Sequence, residues 1–251
     1  MSTVSAATYL YCAVQSARDP VRGARPRPPS GLPGAGPLRG LDAGEGVWLV
    51  AADAIDARLA DLDWVSKCAL AHDAVVEHFA RSRPVIPMKL FTLFTSDERA
   101  LAHVRRTRRK LTRLFARVAD REEWGVRLLL DERRALAPRE APVTAASGTD
   151  FLTRKKDAKD MRQRLVADAL AEADRLFDAL GRVADDSRRR TPAAEGPTSR
   201  MVLDAAFLVG RADARRFKTT VREAARPLAT RGLECLLTGP WPPYHFVADD
   251  A

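Results

Sequence analysis

The sequence predicts an α+β protein made of two successive units. Short runs of β-formers alternate with amphipathic helical stretches, in the order β β α β α and then β α β α β. The joint falls near residues 119–122, where a long amphipathic stretch gives way to an alternating strand. No internal repeat is evident. The first unit is read as residues 1–119, an α+β domain with a mobile Pro/Gly-rich loop at 18–46. The second is read as residues 120–251, a ferredoxin-like domain with helices covering one sheet face and an aromatic, proline-rich latch at its end.

Each element has a local reason. Thr8 to Val14 (Thr-Tyr-Leu-Tyr-Cys-Ala-Val) is apolar and rich in β-formers, a strand. Residues 18–46 are crowded with Pro, Gly and Arg and read as a long loop, with Gly31-Leu-Pro-Gly as a turn. Val47 to Ala51 is a second strand. A helix follows from about Asp63 to Arg81, because Trp64, Cys68, Ala71, Val75 and Phe79 recur at helical spacing before Pro84. Pro84 to Leu90 is a short strand bounded by prolines. Thr95-Ser-Asp-Glu98 fits a capping box in which Glu98 reaches back to the Thr95 amide. The helix it opens runs unbroken to about Ala119, with Leu101, Val104, Leu111, Leu114, Phe115 and Val118 on its buried side.

The second half begins with Glu123 to Leu130, where Trp124, Val126, Leu128 and Leu130 alternate as in a half-buried strand. Residues 131–148, with Pro138 and Pro142, read as a loop. A long helix spans about Asp150 to Val183, with Phe151, Met161, Leu165, Ala169, Ala173, Leu176, Phe177 and Leu180 near its apolar face. Residues 185–200 read as a charged loop, Met201 to Val209 as a buried strand, and Asp213 as the cap of a helix bearing Phe217, Val221 and Leu228. Pro227 is expected to kink or shorten that helix. Leu233 to Thr238 is the last strand.

That strand leads into Gly239-Pro240-Trp241-Pro242-Pro243-Tyr244-His245-Phe246, three prolines and three aromatics in eight residues. Proline fixes φ, removes a donor and pushes the preceding residue into extended geometry. The run therefore reads as a stiff extended segment. Two roles suit it: a latch whose aromatics, Trp241 included, bury over the C-terminal sheet or the seam between domains, or a preordered recognition surface.

Composition narrows the function. The chain has 251 residues, 46% hydrophobic, enough for a substantial core, and aromatics are only 6%. No apolar run approaches the ~18 residues of a membrane span, and no secretory signal is apparent. Cys12, Cys68 and Cys235 lie far apart in apolar contexts and read as reduced, buried thiols of a cytoplasmic protein. The net charge is +9, concentrated early: residues 1–119 hold 18 Lys+Arg against 11 Asp+Glu. There is no His-Glu-x-x-His, Cys-x-x-Cys or Gly-x-Ser-x-Gly pattern, and no glycine-rich phosphate loop between strand and helix. These absences argue against an enzyme and predict no cofactor or metal. The basic run Arg105-Arg-Thr-Arg-Arg-Lys110, with Arg113, is read as a solvated helix face. In the alternative reading it makes the chain a nucleic-acid-binding module, against which stands the lack of aromatics interleaved with it. His72, on a helix beside Cys68 and Val75, is read as a semi-buried hydrogen-bonding residue.

Several landmarks together resemble the gas vesicle protein F/L family. They are Trp64-Val with His72 and Val75-Val76, then Pro84-Val-Ile-Pro87-Met-Lys89, then Glu123-Trp124-Gly-Val-Arg, and Thr238-Gly-Pro-Trp-Pro-Pro-Tyr-His-Phe. Tyr9-Leu-Tyr, Leu32-Pro-Gly and Ala206-Phe-Leu-Val followed by Phe217 are also similar, so the resemblance covers about Thr8 to Val247. It departs in places: where the family reads Leu-Arg-Phe-Gly-Thr, this chain has Met88-Lys89-Leu90-Phe91-Thr92, and His245 replaces a serine. The resemblance implies a non-enzymatic accessory protein, cytoplasmic and at the gas vesicle, with an N-terminal α+β domain and a modified ferredoxin-like C-terminal domain. Its implied partners are the vesicle shell protein and other accessory proteins. Its implied interaction or structural motif residues are Trp64, His72, Pro87, Lys89, Trp124, Gly239, Pro240, Trp241, Pro242, Pro243, Tyr244 and Phe246.

Overall fold

The computed structural model describes residues 7–54, 59–136, 148–191 and 199–247, the side chains of 148–154 excepted. The expected loop around Pro138 and Pro142, the part of the charged loop at 192–198, and the Phe151 side chain lie outside the described residues. The chain has helices and two antiparallel sheets, and divides into two compact units. One comprises the chain up to Glu122 together with the segment from Trp241, and the other is Glu123–Pro240.

The first unit is built on β1 (Thr8–Gln15), β2 (Arg39–Gly44), β3 (Val47–Asp53), β4 (Val85–Pro87) and β5 (Leu93–Phe94). The sheet order is β2-β3-β1-β4, with β5 also pairing β1. The central strand β1 is buried along all but its last residue. A bulge between Leu10 and Cys12 shifts its register against β3. Tyr9 and Tyr11 therefore share a face with Cys12 and Val14, while Leu10 and Ala13 face the other way. The first face packs on α1 (Leu62–Ala80) through Cys68, Val75, Val76 and Phe79. The second packs on α2 (Asp97–Arg106) and α3 (Arg108–Val118) through Val104, Leu111, Leu114, Phe115 and Val118.

Three local expectations are corrected here. Residues 39–44 form β2, not loop, although Gly, Asp and Ala are poor strand formers. Tertiary pairing supplies what propensity lacks. The Arg39 guanidinium forks onto Asp97 (3.0 and 2.8 Å) and donates to Asp53 (2.7 Å), and the Thr8 hydroxyl donates to Asp97 (2.6 Å). The helix cap is Ser96, one residue later than expected, and its hydroxyl accepts from the Arg99 amide. The long helix breaks at Thr107, whose hydroxyl donates back to the carbonyls of His103 and Val104.

Arg108 then leaves the basic face. Its guanidinium donates to the carbonyls of Ala43 and Gly44 and pairs with Glu45 at 2.9 Å. These residues form the turn between β2 and β3, where Gly44, Glu45 and Gly46 all adopt positive φ. Arg105, Arg106, Arg109 and Arg113 are exposed, as expected of a solvated face.

The second unit contains β6 (Arg121–Asp131), α4 (Glu132–Ala135), α5 (Gly148–Gly181), β7 (Asp186–Arg189), β8 (Ser199–Gly210), α6 (Ala214–Ala229) and β9 (Leu233–Trp241). Its sheet order is β7-β8-β6-β9. With the one-turn α4 set aside, the elements read β-α-β-β-α-β, an order compatible with the ferredoxin-like expectation. Trp124, Val126, Leu128 and Leu130 enter one core with Ala169, Ala173, Leu176 and Leu180 of α5 and Phe217, Val221 and Leu228 of α6.

Two pieces of expected loop are ordered elements. In α4, the Asp131 carboxylate accepts from the Arg134 amide at 3.0 Å. In β7, a run without apolar residues pairs with Ala205–Leu208 of β8, and Arg189 covers the Phe177 ring at 4.4 Å while pairing with Asp174. Helix α6 continues through Pro227 to Ala229. Asp213 is its N-cap residue, without a side-chain cap bond.

Arg108 and Arg105 should separate cleanly in a stability assay. Arg108→Ala removes charge-assisted bonds to two carbonyls and should lower unfolding free energy by about 1–3 kcal/mol. Arg105→Ala should stay within about 0.5 kcal/mol of the parent. Urea denaturation of both variants checks this, and equal stability would return Arg108 to the solvated face.

Candidate functional site

The site begins with β4. Pro84 and Pro87 confine this edge strand to three residues, after which the chain leaves the sheet. The departing segment is held at several points. The Met88 amide donates to the Tyr11 carbonyl (2.9 Å), the Thr92 amide to the Lys89 carbonyl (3.1 Å), and the Leu10 amide to the Thr92 carbonyl (3.0 Å). Phe91 sits at φ 63°, the left-handed region, at the position where the related motif has glycine. Its amide still reaches the Tyr9 hydroxyl at 3.4 Å, so the turn survives without the glycine. A left-handed side-chain-bearing residue costs about 1–2 kcal/mol. The Phe91 ring stacks on Trp64 with centroids 5.7 Å apart, a contact glycine could not make.

His72 projects from α1 into this corner and is 2% exposed. Its Nε2 lies 3.1 Å from the Met88 carbonyl and its Nδ1 2.7 Å from the Tyr9 hydroxyl. A carbonyl only accepts, so Nε2 carries the proton and Nδ1 accepts from the hydroxyl. The Tyr11 ring stacks on the imidazole at 5.5 Å, and its own hydroxyl accepts from the Leu32 amide at 2.8 Å. Burial lowers the His72 pKa, favouring the neutral ring that this pattern requires. Burial likewise raises the hydroxyl pKa values of Tyr9 and Tyr11.

The C-terminal motif closes the corner and differs from expectation in three ways. It is not extended throughout: Gly239 to Trp241 end the edge strand β9, and Tyr244–Val247 form a one-turn helix, α7. The prolines constrain only the residues before them, and the carbonyls of Pro242 and Pro243 accept from the amides of Tyr244 and Phe246. From Trp241 onward the motif is part of the first unit, not of the C-terminal domain. Pro242, Pro243, Phe246 and Val247 are buried, and Val247 joins the α2/α3 core. Finally, Trp241 is not the anchor. It is 44% exposed, whereas Phe246 is fully buried beneath Arg117.

Tyr244 links the motif to α1. Its hydroxyl donates to Asp73 at 2.7 Å, and burial with the neighbouring carboxylate raises its pKa. Together these elements enclose a groove of about 690 Å³ at the β4 edge of the sheet. Leu10, Ile86, Met88, Phe94, Leu111 and Leu114 give it an apolar lining, and Asp73, Lys89, His103 and Lys110 add charged or polar groups.

Of the residues singled out from sequence, His72, Pro87, Lys89 and Tyr244 meet in this groove. Pro242, Pro243 and Phe246 flank it in the same segment, and Trp64 stacks on Phe91 nearby. Trp124, Gly239 and Pro240 belong to the second unit. Trp124 is a core residue there, with the Lys218 ammonium 5.4 Å from its ring centroid. Sequence reasoning missed the groove's apolar lining and Asp73, which reads as one more solvated helix charge. Among the described residues, no three His, Cys, Asp or Glu side chains converge as a metal site, and no helix is long and apolar enough to cross a membrane.

Two predictions follow from the histidine and the anchor. The folded-state pKa of His72 lies below its unfolded value of about 6.5. The unfolded chain therefore binds the proton first on acidification, and stability is lost as pH falls below about 6.5. Between pH 7.5 and 5 the parent should lose more melting temperature than His72→Gln; equal losses would remove His72 from the acid response. Phe246→Ala should cost about 3–5 kcal/mol and Trp241→Ala about 1 kcal/mol or less. Denaturant titration of both ranks them, and the reverse order would restore Trp241 as the anchor.

The chain is similar to gas vesicle proteins in both sequence and fold. The family model described as "Gas vesicle synthesis protein GvpL/GvpF" matches residues 7–248. Gas vesicle protein L of Streptomyces sp. (strain CB03234) is 34% identical over 200 residues, covering 76% of this chain and 72% of that protein. The crystal structure of GvpF from Anabaena sp. PCC7120 superposes with a TM-score of 0.72 at 18% identity, covering 97% of this chain and 96% of that one. GvpF from Microcystis aeruginosa gives a TM-score of 0.68 at 16% identity, covering 98% and 99%. The α+β architecture is thus shared with solved GvpF structures, and by sequence the chain belongs to the GvpL/GvpF family of gas vesicle proteins.

Proposed function

We propose that this chain is a non-enzymatic assembly factor that binds the gas vesicle shell protein and other accessory proteins, with the first-unit groove as its docking surface. The observation that carries the reading is the groove itself. An apolar cavity of about 690 Å³ is framed by a buried His-Tyr network and gathers four of the residues singled out from the sequence, His72, Pro87, Lys89 and Tyr244. Shell subunits awaiting assembly need their apolar surface covered, and a preformed apolar groove can do that without unfolding the chaperoning protein. The work is done in the cytoplasm and at the growing vesicle. It calls for no cofactor and no membrane insertion.

The rigid frame supports a binding role. Tyr9 and His72 bond to each other and to nearby backbone groups, and Tyr11 stacks on His72 while accepting from the Leu32 amide, so the groove is shaped before a partner arrives. Immobilised full-length protein should retain the shell protein or a fellow accessory protein from defined mixtures. Ala69→Trp, which fills the groove from α1, should reduce that retention at least about tenfold while the melting temperature stays near the parent's. Absence of any retained gas vesicle protein would overturn the proposal.

A further inference from the structure

The groove has features that select among occupants. It lies beyond β4, the edge strand of the first sheet. An incoming strand would pair there only poorly. The strand is three residues long, Pro84 precedes it, Pro87 ends it, and the next amide, Met88, already donates to Tyr11. The apolar lining comes instead from both sides of the sheet edge: α1 contributes Ala69, and α2 and α3 contribute Val104, Leu111 and Leu114. A cleft with helical walls and a blocked sheet edge suits the apolar face of a helix.

Charge narrows the choice further. Lys89, His103 and Lys110 line the groove and form no ion pair among the described residues. Asp73, the carboxylate among the described lining residues, is engaged by the Tyr244 hydroxyl. The same bias continues along the walls, since the stretch from Arg99 to Arg117 holds eight Lys+Arg and no Asp or Glu. Within it, Arg105, Arg106, Arg109 and Arg113 are exposed.

We infer that the groove receives an amphipathic helix of the partner protein, with its apolar face against the half-exposed lining residues Ala69, Met88, Leu90 and Phe94 and carboxylates beside that face meeting Lys89 and Lys110. This rests on the reading of the chain as a partner-binding gas vesicle protein and adds the chemistry of what is bound. Apolar burial supplies the affinity, and the lysine rim sets orientation and excludes basic helices.

Fluorescence anisotropy on the full chain tests it with three labelled peptides of about 18 residues, roughly five helical turns. The first places Leu at i, i+3, i+4 and i+7 with Glu alongside, the second replaces Glu by Lys, and the third scrambles the first so that no apolar face forms. The first should bind at least about fivefold more tightly than either other, the scale expected of two rim ion pairs gained or reversed. In Lys89→Glu/Lys110→Glu the preference between the Glu and Lys peptides should invert. No preference for Glu in the parent, equal binding of the scrambled peptide, or displacement of the Glu peptide by duplex DNA would each overturn the inference. A capture assay with shell and accessory proteins separates the two levels. Retention by parent and double variant alike defeats the acidic-helix inference and leaves the proposed function standing. No retention by the parent defeats the proposed function.

Discussion

The first unit depends on a single constraint: β1 is buried on both faces yet carries two tyrosine hydroxyls that must be partnered. An unpartnered buried hydroxyl costs about 1–3 kcal/mol. Tyr9 meets the requirement with His72 and the Phe91 amide, and Tyr11 with the Leu32 amide. Each partner lies on a different element, so satisfying β1 fixes α1, the segment after β4, and the proline-rich loop at once. Gly31 records how closely that loop approaches, because a Cβ there would fall 2.3 Å from the Tyr11 hydroxyl oxygen. The bulge after Leu10 belongs to the same solution. Without it, Cys12 and Val14 would turn toward α2 and α3 instead of α1.

What was legible in the sequence follows from this. Strands whose own residues are apolar, such as β1, β3, β6 and β8, declare themselves by pattern, and so do α1 and the buried stripes of α2, α3 and α6. Strands β2 and β7 do not, because Arg39-Gly-Leu-Asp-Ala-Gly and Asp-Ser-Arg-Arg hold their places by side-chain pairing with distant elements. No local propensity reports the fork of Arg39 onto Asp97, or Arg189 lying over Phe177. The break at Thr107 was hidden for a similar reason. The apolar spacing runs across it, while Arg108 is drawn out of the helical face by carbonyls some 64 residues earlier in the chain.

The groove was partly legible. His72, Pro87, Lys89 and Tyr244 are distinctive residue types in distinctive company, and the family resemblance points to them. Met88, Leu90 and Phe94 are ordinary apolar residues in sequence and become half-exposed groove lining because the chain leaves the sheet after the short β4, while Leu10 and Leu111 form the buried floor. Asp73 acquires its meaning from a tyrosine 171 positions later. The C-terminal run is partly buried, but its segment from Trp241 belongs to the first unit and not to the C-terminal sheet, and composition drew attention to Trp241, whereas the smaller Phe246 occupies the buried position.

The return of the segment after Trp241 to the first unit makes the second unit an insertion in the body it follows. Residues 123–240 must be made before Tyr244 and Phe246 exist. At translation rates of about 5–20 residues per second, that delay is on the order of ten seconds. Throughout it, Asp73 lacks its tyrosine and the core around Phe115 and Val118 lacks Val247. The nascent first unit thus emerges with its groove missing a wall, and synthesis of the second unit acts as a clock. The groove is completed last, after the remainder of the described fold has left the ribosome.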